Sequence, residues 1–360
     1  MTKKLTSIRS LSLEELKSFL EEKNIPKFRS KQIYEWLWKK NAGSFLEMRN
    51  IGKNLQDILS QHFTIDKIIL QDEQLSNDKT LKCAFSIDEK SVVEGVLIPT
   101  PRRMTACISS QVGCSLACAF CATGKLKLLR NLSAGEIYDQ VYYLKKEAEK
   151  RHEKSLSNIV YMGMGEPLLN YKNVLSSIDK ICSTDGLGMS PKRITVSTAG
   201  IHKMIRKLGD DEVKFNLALS LHAANDEKRN KIMEINANNN LESLKDALIY
   251  FHEKTGSRVT FEYIIFDKFN DTVEDARELA EFAKCVPCKI NIIEYNPIDG
   301  ETFQQAEAKK VEKFAAYLES KNLIVNIRRS RGKDIDAACG QLANKNKAIA
   351  LEKRSLKKIK

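Results

Sequence analysis

The sequence predicts an α/β protein whose larger part is a parallel sheet with helical crossovers. Three observations predict it. Up to about residue 65 apolar residues recur at helical spacing. Between about 66 and 112 the apolar period becomes two. Beyond that, period-two segments alternate with amphipathic stretches, which implies right-handed βα units with working residues at the C-terminal ends of the strands.

The elements follow in order. Ser12 and Glu15 have capping-box spacing ahead of Leu16, Phe19 and Leu20. A second helix presents Ile33, Trp36 and Leu37 on one face, and a third presents Leu55, Ile58 and Leu59. Lys27, Arg29, Lys31, Lys39 and Lys40 decorate this small bundle. Strands are expected at 67–70, 81–87, 92–98 and 104–109, then at 158–162, 193–197, 215–220, 259–265, 290–295 and 324–328. Helices lie between them, for example over 134–150 and 311–320. The division that results is a helical accessory domain (1–65), a β extension (66–100), a βα core (101–345) and a basic tail (346–360).

Lys and Arg number 59 against 47 Asp and Glu, a net charge of +12 over 360 residues. That balance favours a polyanionic partner such as nucleic acid. No apolar run approaches the roughly 18 residues that span a bilayer. The basic N-terminus lacks a following apolar segment, so no secretory signal is expected and the cytoplasm is the expected compartment. Nine cysteines in so long a chain are not a small-domain disulfide framework. Clustered in a reducing compartment, they point to metal or redox chemistry.

The sharpest feature is Cys114-Ser-Leu-Ala-Cys118-Ala-Phe-Cys121, three thiols in one short loop. Thiolates select zinc, copper or iron–sulfur clusters. Zinc wants a fourth ligand, and no His or further Cys lies nearby to supply it. Three thiolates on a four-iron cluster leave one iron open to a small molecule. By contrast, Cys285-Val-Pro-Cys288 has no second pair and is read, with Cys83 and Cys182, as structural.

The triad and the aromatic Phe120 resemble the signature of the radical S-adenosylmethionine (SAM) superfamily. The likeness extends further. Cys107-Ile-Ser-Ser-Gln-Val-Gly-Cys114, Tyr161-Met-Gly-Met-Gly-Glu-Pro167, Ser197-Thr-Ala-Gly200, Ser220-Leu-His222, Asn296-Pro297 and Asp334-Ile-Asp-Ala-Ala-Cys339-Gly-Gln-Leu342 occur in that order. This set resembles the RlmN family, which methylates C2 of adenosine in 23S rRNA and tRNA, and the helical N-terminus resembles that family's accessory domain.

The resemblance implies a radical SAM partial (β/α)6 barrel. It implies one [4Fe-4S] cluster on Cys114, Cys118 and Cys121. A SAM pocket is implied from Gly165, Glu166, Ser197, Ser220, Leu221, His222 and Asn296, with two SAM molecules used per turnover. On the residues alone, Gly163 and Gly165 would let backbone approach a ligand or simply turn the chain, and Glu166 offers a carboxylate to an ammonium group. The resemblance further implies that Cys339 carries the methyl group as S-methylcysteine. Cys107 then resolves the covalent RNA adduct through a transient disulfide with Cys339, and Glu94 accepts the C2 proton. Read unaided, Cys107 and Cys339 are two free cysteines and Glu94 a surface strand residue. The implied partners are 23S rRNA, tRNA and an electron donor such as flavodoxin, with the chain a monomer. Pro26, Lys27, Phe28 and Arg29 mix basic and flat groups suited to an RNA loop, or form a solvated charged face. The target base must leave its stack to reach the site. Three alternatives remain at this point: the related adenosine-C8 methyltransferase of antibiotic resistance, a radical SAM enzyme on a protein or small molecule, and an RNA-binding module with a structural metal.

Overall fold

The computed structural model describes residues 5–343; the expected basic tail, 346–360, lies outside the described residues, as do the last two residues of the expected core. Among the described residues the first element is the two-residue strand β1 (Thr6–Ser7), then come helices α1 (Leu13–Glu22), α2 (Phe28–Tyr34) and α3 (Lys53–His62), and β2 (Phe63–Thr64) returns to pair in parallel with β1. Ser12 accepts from the Glu15 amide at 3.1 Å and Glu15 accepts from the Ser12 amide at 2.7 Å, so the capping box forms as expected. The expected apolar face of the second helix forms: Ile33 and Leu37 are buried and Trp36 packs half-exposed against the core, donating to Asn50. Tyr34 and Trp38 extend the buried face, and over Glu35–Lys39 the helix widens into a π turn.

Next come β3 (Ile69–Leu75), β4 (Leu81–Ser86), β5 (Val92–Pro99) and β6 (Met104–Cys107), followed by the small antiparallel pair β7 (Gln111–Val112) and β8 (Arg130–Asn131). Helix α4 (Ala134–His152) leads into β9 (Asn158–Tyr161), α5 (Tyr171–Cys182), β10 (Ile194–Thr198), α6 (His202–Asp210) and β11 (Asn216–Ser220). Helices α7 (Asp226–Ile232) and α8 (Leu241–Thr255) precede β12 (Val259–Ile265), α9 (Val273–Ala283), β13 (Cys288–Glu294), α10 (Ala308–Ser320) and β14 (Val325–Arg328).

One ten-stranded sheet runs β14-β13-β12-β11-β10-β9-β6-β5-β4-β3. From β6 to β14 all neighbours are parallel, which makes seven parallel strands, each at a position where a strand was expected and one more than the six of the expected partial barrel. Strands β3 to β6 add an antiparallel end. The outermost strands do not pair with each other, so the barrel is open. Every residue of β12 is buried, as suits a central strand covered on both faces. Strand β3 sits where the sequence puts 67–70 but is shifted and longer, with a register shift between Leu70 and Asp72. It is an exposed edge, so no apolar alternation marks it.

The helical unit is fixed to the core through one buried charge cluster. Arg9 Nη1 and Lys67 Nζ each lie 2.9 Å from Asp139 Oδ1 on α4, and the Arg9 guanidinium covers the Trp38 ring at 4.7 Å. Both side chains of the Arg9–Asp139 pair are at most 3% exposed. No helix among the described residues is long and apolar enough to cross a membrane.

Candidate active site

The three-cysteine loop begins just after β7. Its turn depends on backbone contacts only some residues allow. Ala117 adopts a left-handed φ of 50°. A Cβ on Gly124 would lie 2.9 Å from the Cys118 carbonyl oxygen, so glycine lets the chain fold back on the loop. The loop is tied to three separate segments: Cys114 N–H donates to Leu126 O at 3.3 Å, Ala119 N–H to Ile232 O at 3.0 Å, and Ala122 N–H to Gly340 O at 2.7 Å.

The donor set fits an iron–sulfur cluster. Burial raises all three thiols, and the neighbouring thiols and Glu166 add to this at Cys114 and Cys118; Cys114 is pushed up to about 11 despite amides from Leu116 and Ser115. Three mutually repelling thiolates are stable here only with a compensating cationic centre. Three soft thiolates in one short loop are the donor set that an iron–sulfur cluster takes.

A cavity of about 920 Å³, counted to its open mouth, lies over this loop at the C-terminal ends of the parallel strands. Cys114, Cys118 and Cys121 form one wall; Gly165, Glu166, Ser197, Ser220 and His222 form another. Residues of β9 to β14 surround it, which requires the sheet to curve around a common interior. Leu221 and Asn296 do not line it. Leu221 is fully buried, with its amide on Glu262 O. Asn296 stands behind Cys339, with Nδ2 3.3 Å from Cys339 O and a buried Oδ1 lacking a hydrogen-bond partner.

The polar wall is preorganised. Glu166 accepts from the Leu168 amide at 3.0 Å and the Ala199 amide at 2.8 Å; burial raises its pKa and these amides oppose that. Ser197 Oγ and Ser220 Oγ lie 3.2 Å apart. His222 is held at φ 56° and its Nδ1 accepts from the Ile264 amide at 3.1 Å, so a neutral ring carries its proton on Nε2. Burial and the nearby Arg229 pull its pKa down to about 3. Gly163 and Gly165 are required by protein neighbours. Added Cβ atoms would meet Ile108 O at 2.7 Å and Gln111 Cβ at 2.4 Å, and Gly165 has φ 94°. Both glycines also line the cavity, so close packing on the protein and an open approach for a ligand coexist here.

A second cavity of about 760 Å³ adjoins the first; Cys339, Arg328, Met162 and Gly163 line both. Cys107 opens only on the second, so both free cysteines singled out in the sequence share one chamber. Cys339 is exposed to that chamber, whereas Cys107 is buried and burial pushes its thiol up to about 12, with Cys339 adding to the effect. Burial also raises the Cys339 thiol, opposed by Arg328. Glu94, on β5, is 1% exposed and lines neither cavity. Its Oε2 accepts from the Ala343 amide at 2.9 Å, just past the cavity residue Leu342, and Lys82 Nζ stands 3.7 Å from its other oxygen. Cys83 is buried in the core, and Cys182, Cys285 and Cys288 pack against it.

Sequence reasoning missed several supporting residues. The turn between β3 and β4 clasps the Cys339 loop. Asp78 accepts from the Gly332 amide at 3.0 Å and pairs with Arg331, while Asp334 accepts from Ser76 Oγ at 2.6 Å and the Asn77 amide at 3.0 Å. Glu262 faces the first cavity with Oε1 on Asn291. Arg229 is fully buried beneath the polar wall. Their partners are backbone atoms or residues distant in sequence, so no spacing reveals them.

The chain is similar to known proteins along nearly its whole length. A family model described as the Radical SAM superfamily matches residues 108–283, and one described as the ribosomal RNA large subunit methyltransferase N-terminal domain matches residues 6–65. A protein of Cytophaga hutchinsonii named probable dual-specificity RNA methyltransferase RlmN is 59% identical over 94% of this chain and 93% of its own length. The dual-specificity RNA methyltransferase RlmN of Campylobacter fetus is 40% identical over 95% of this chain and 99% of its own. The crystal structure of a radical SAM methyltransferase from Sphaerobacter thermophilus superposes with a TM-score of 0.88 at 35% identity, covering 94% of this chain and 99% of that one.

Proposed function

Because the chain belongs to the RlmN family of radical SAM RNA methyltransferases, we propose that it methylates C2 of adenosine in 23S rRNA and tRNA, with Cys339 as the methyl carrier. The observation that carries this reading is the shared chamber: Cys339 faces both the three-cysteine cavity and Cys107. A cluster on Cys114, Cys118 and Cys121 would supply the electron that splits SAM into a hydrogen-abstracting radical.

The chain's own groups do the rest. Glu166 is placed to receive the SAM ammonium, and Ser197, Ser220 and His222 Nε2–H offer hydrogen bonds to its polar groups. Leu221 and Asn296 act from behind the wall, Asn296 by holding the Cys339 carbonyl. Cys339 loses its thiol proton and takes a methyl group from one SAM by displacement; a second SAM serves the radical step. C2 of adenine is electrophilic and cannot attack a sulfonium methyl directly, which is why a protein-bound methyl is needed. Carbon–carbon bond formation leaves an odd-electron adduct, which would return one electron to the cluster as Glu94 accepts the C2 proton. The Cys107 thiolate then attacks the Cys339 sulfur and breaks its bond to the new carbon, which takes up a proton to become the methyl group; methylated RNA is released and a disulfide is left for reduction. An electron donor such as flavodoxin would serve the cluster, and the unit over 1–65 would hold RNA.

The test is nucleoside mass spectrometry of RNA incubated anaerobically with reconstituted protein, SAM and reductant. The reading expects 2-methyladenosine. A product carrying 8-methyladenosine would instead assign the C8 activity, and unmodified RNA would remove the proposal.

A further inference from the structure

Arg229 is a buried cation without a carboxylate among its hydrogen-bond partners. Its Nε donates to Leu221 O at 3.1 Å, Nη2 to Ala199 O at 2.6 Å and Ser220 O at 3.3 Å, and Nη1 to Asn236 Oδ1 at 2.5 Å. Asn236 in turn donates to Asp226 at 2.8 Å, so the nearest acid is reached only through an amide. A buried cation with no carboxylate in direct contact is stabilised when something negative is normally beside it. The carbonyls compensate it in part as dipoles, not as charges.

The location indicates what the negative charge is. Arg229 lies on α7, whose last residue, Ile232, accepts the Ala119 amide in the middle of the cysteine loop. Ile232, Met233 and Phe120 form one apolar cluster with Cys118 and Cys121 packed on it. In that dry setting a charge acts over several ångströms with little screening. Arg229 and Cys118 each register the other's charge. The same guanidinium pins Ala199, whose amide holds Glu166, and the backbone of Ser220 and Leu221.

We propose that Arg229 is a positioning residue with two effects: it fixes the backbone of the SAM wall, and its positive charge makes a thiolate-held cluster easier to reduce. This rests on the reading above that the three cysteines hold an iron–sulfur cluster. The sign follows from charge: a reduced cluster is one unit more negative, so a nearby cation favours it and its removal lowers the reduction potential.

The experiment compares full-length wild type with Arg229→Lys and Arg229→Gln after anaerobic reconstitution. Iron and sulfide content is measured first, then the potential by redox titration followed by electron paramagnetic resonance, then SAM affinity. Both variants are expected to bind SAM at least tenfold more weakly. Arg229→Gln is expected to have a lower potential than wild type, and Arg229→Lys a potential near it. A Lys variant that loads while the Gln variant does not also supports a charge requirement. Equal potentials in the loaded Gln variant and wild type would overturn the electrostatic role, as would failure of both variants to load. Failure of wild type itself to load would defeat the cluster reading instead.

Discussion

Each cysteine of this chain has a role set by its surroundings. Burial raises both the Cys339 and Cys107 thiols, so exposure is what separates them: Cys339 is exposed to the shared chamber while Cys107 is buried. At pH 7 to 8 an alkylating reagent is therefore expected to label Cys339 well before Cys107, as peptide mass spectrometry would show; equal labelling would contradict the chamber geometry. Under the proposed chemistry, Cys339→Ala loses RNA methylation but still splits SAM, whereas Cys107→Ala accumulates RNA joined covalently to protein, visible as a shifted band on a denaturing gel. A Cys107→Ala enzyme that turned over normally would remove the resolving role. The triad was legible from spacing alone, because three soft ligands within eight residues have few other uses. Glu94 was not: its burial comes from strand pairing and from Ala343, and only the family resemblance singled it out.

At the scale of elements, the turns that bring the site together tolerate little change. Gly165→Ala would place a Cβ 2.4 Å from that of Gln111 at a φ of 94°, with backbone strain alone costing about 1–3 kcal/mol. Its urea midpoint should fall accordingly; an unchanged midpoint would mean that β7 shifts freely. The clasp on the Cys339 loop is pH-sensitive. Burial pushes the Asp78 carboxyl up, but hydrogen bonds from Thr80, Gly332 and Ser76 outweigh it and hold the group at about 2. The depressed value means that the clasp contributes fully above the unfolded carboxylate range near ~4 and is lost as pH falls from there toward 2. Hydrogen exchange at the Gly332 amide, corrected for intrinsic rate, should accelerate over that window in wild type, and in Asp78→Asn should already be fast at pH 6. Strands with buried faces, such as β12 and β13, stand out in the sequence as apolar runs. Edge strand β3 does not, because five of its seven residues in succession are exposed. The π turn at Glu35–Lys39 was also hidden, since the apolar spacing there fits an ordinary α-helix equally well.

For the whole molecule, the accessory unit and the core share one hydrophobic cluster, and Arg9 and Lys67 meet Asp139 between them. Arg9→Ala should cost on the order of 3 kcal/mol, at the low end for a broken buried pair because Lys67 remains. Asp139→Asn strands two cations and should cost more, and urea unfolding would rank them. The net charge of +12 predicts RNA affinity that falls steeply with salt, and a flat dependence would argue against phosphate contacts. The alternation that made the parallel sheet legible also placed the site at its C-terminal edge; the curvature that closes six strands around one cavity came from packing that no local pattern encodes. The chemistry depends on a cluster in that cavity. Anaerobic reconstitution with iron and sulfide, followed by SAM and dithionite, tests it most directly. The predicted result is ~4 irons per chain, broad charge-transfer absorbance and release of 5′-deoxyadenosine, all lost when any one of Cys114, Cys118 or Cys121 is changed to Ala. A single bound zinc with SAM left intact would contradict it.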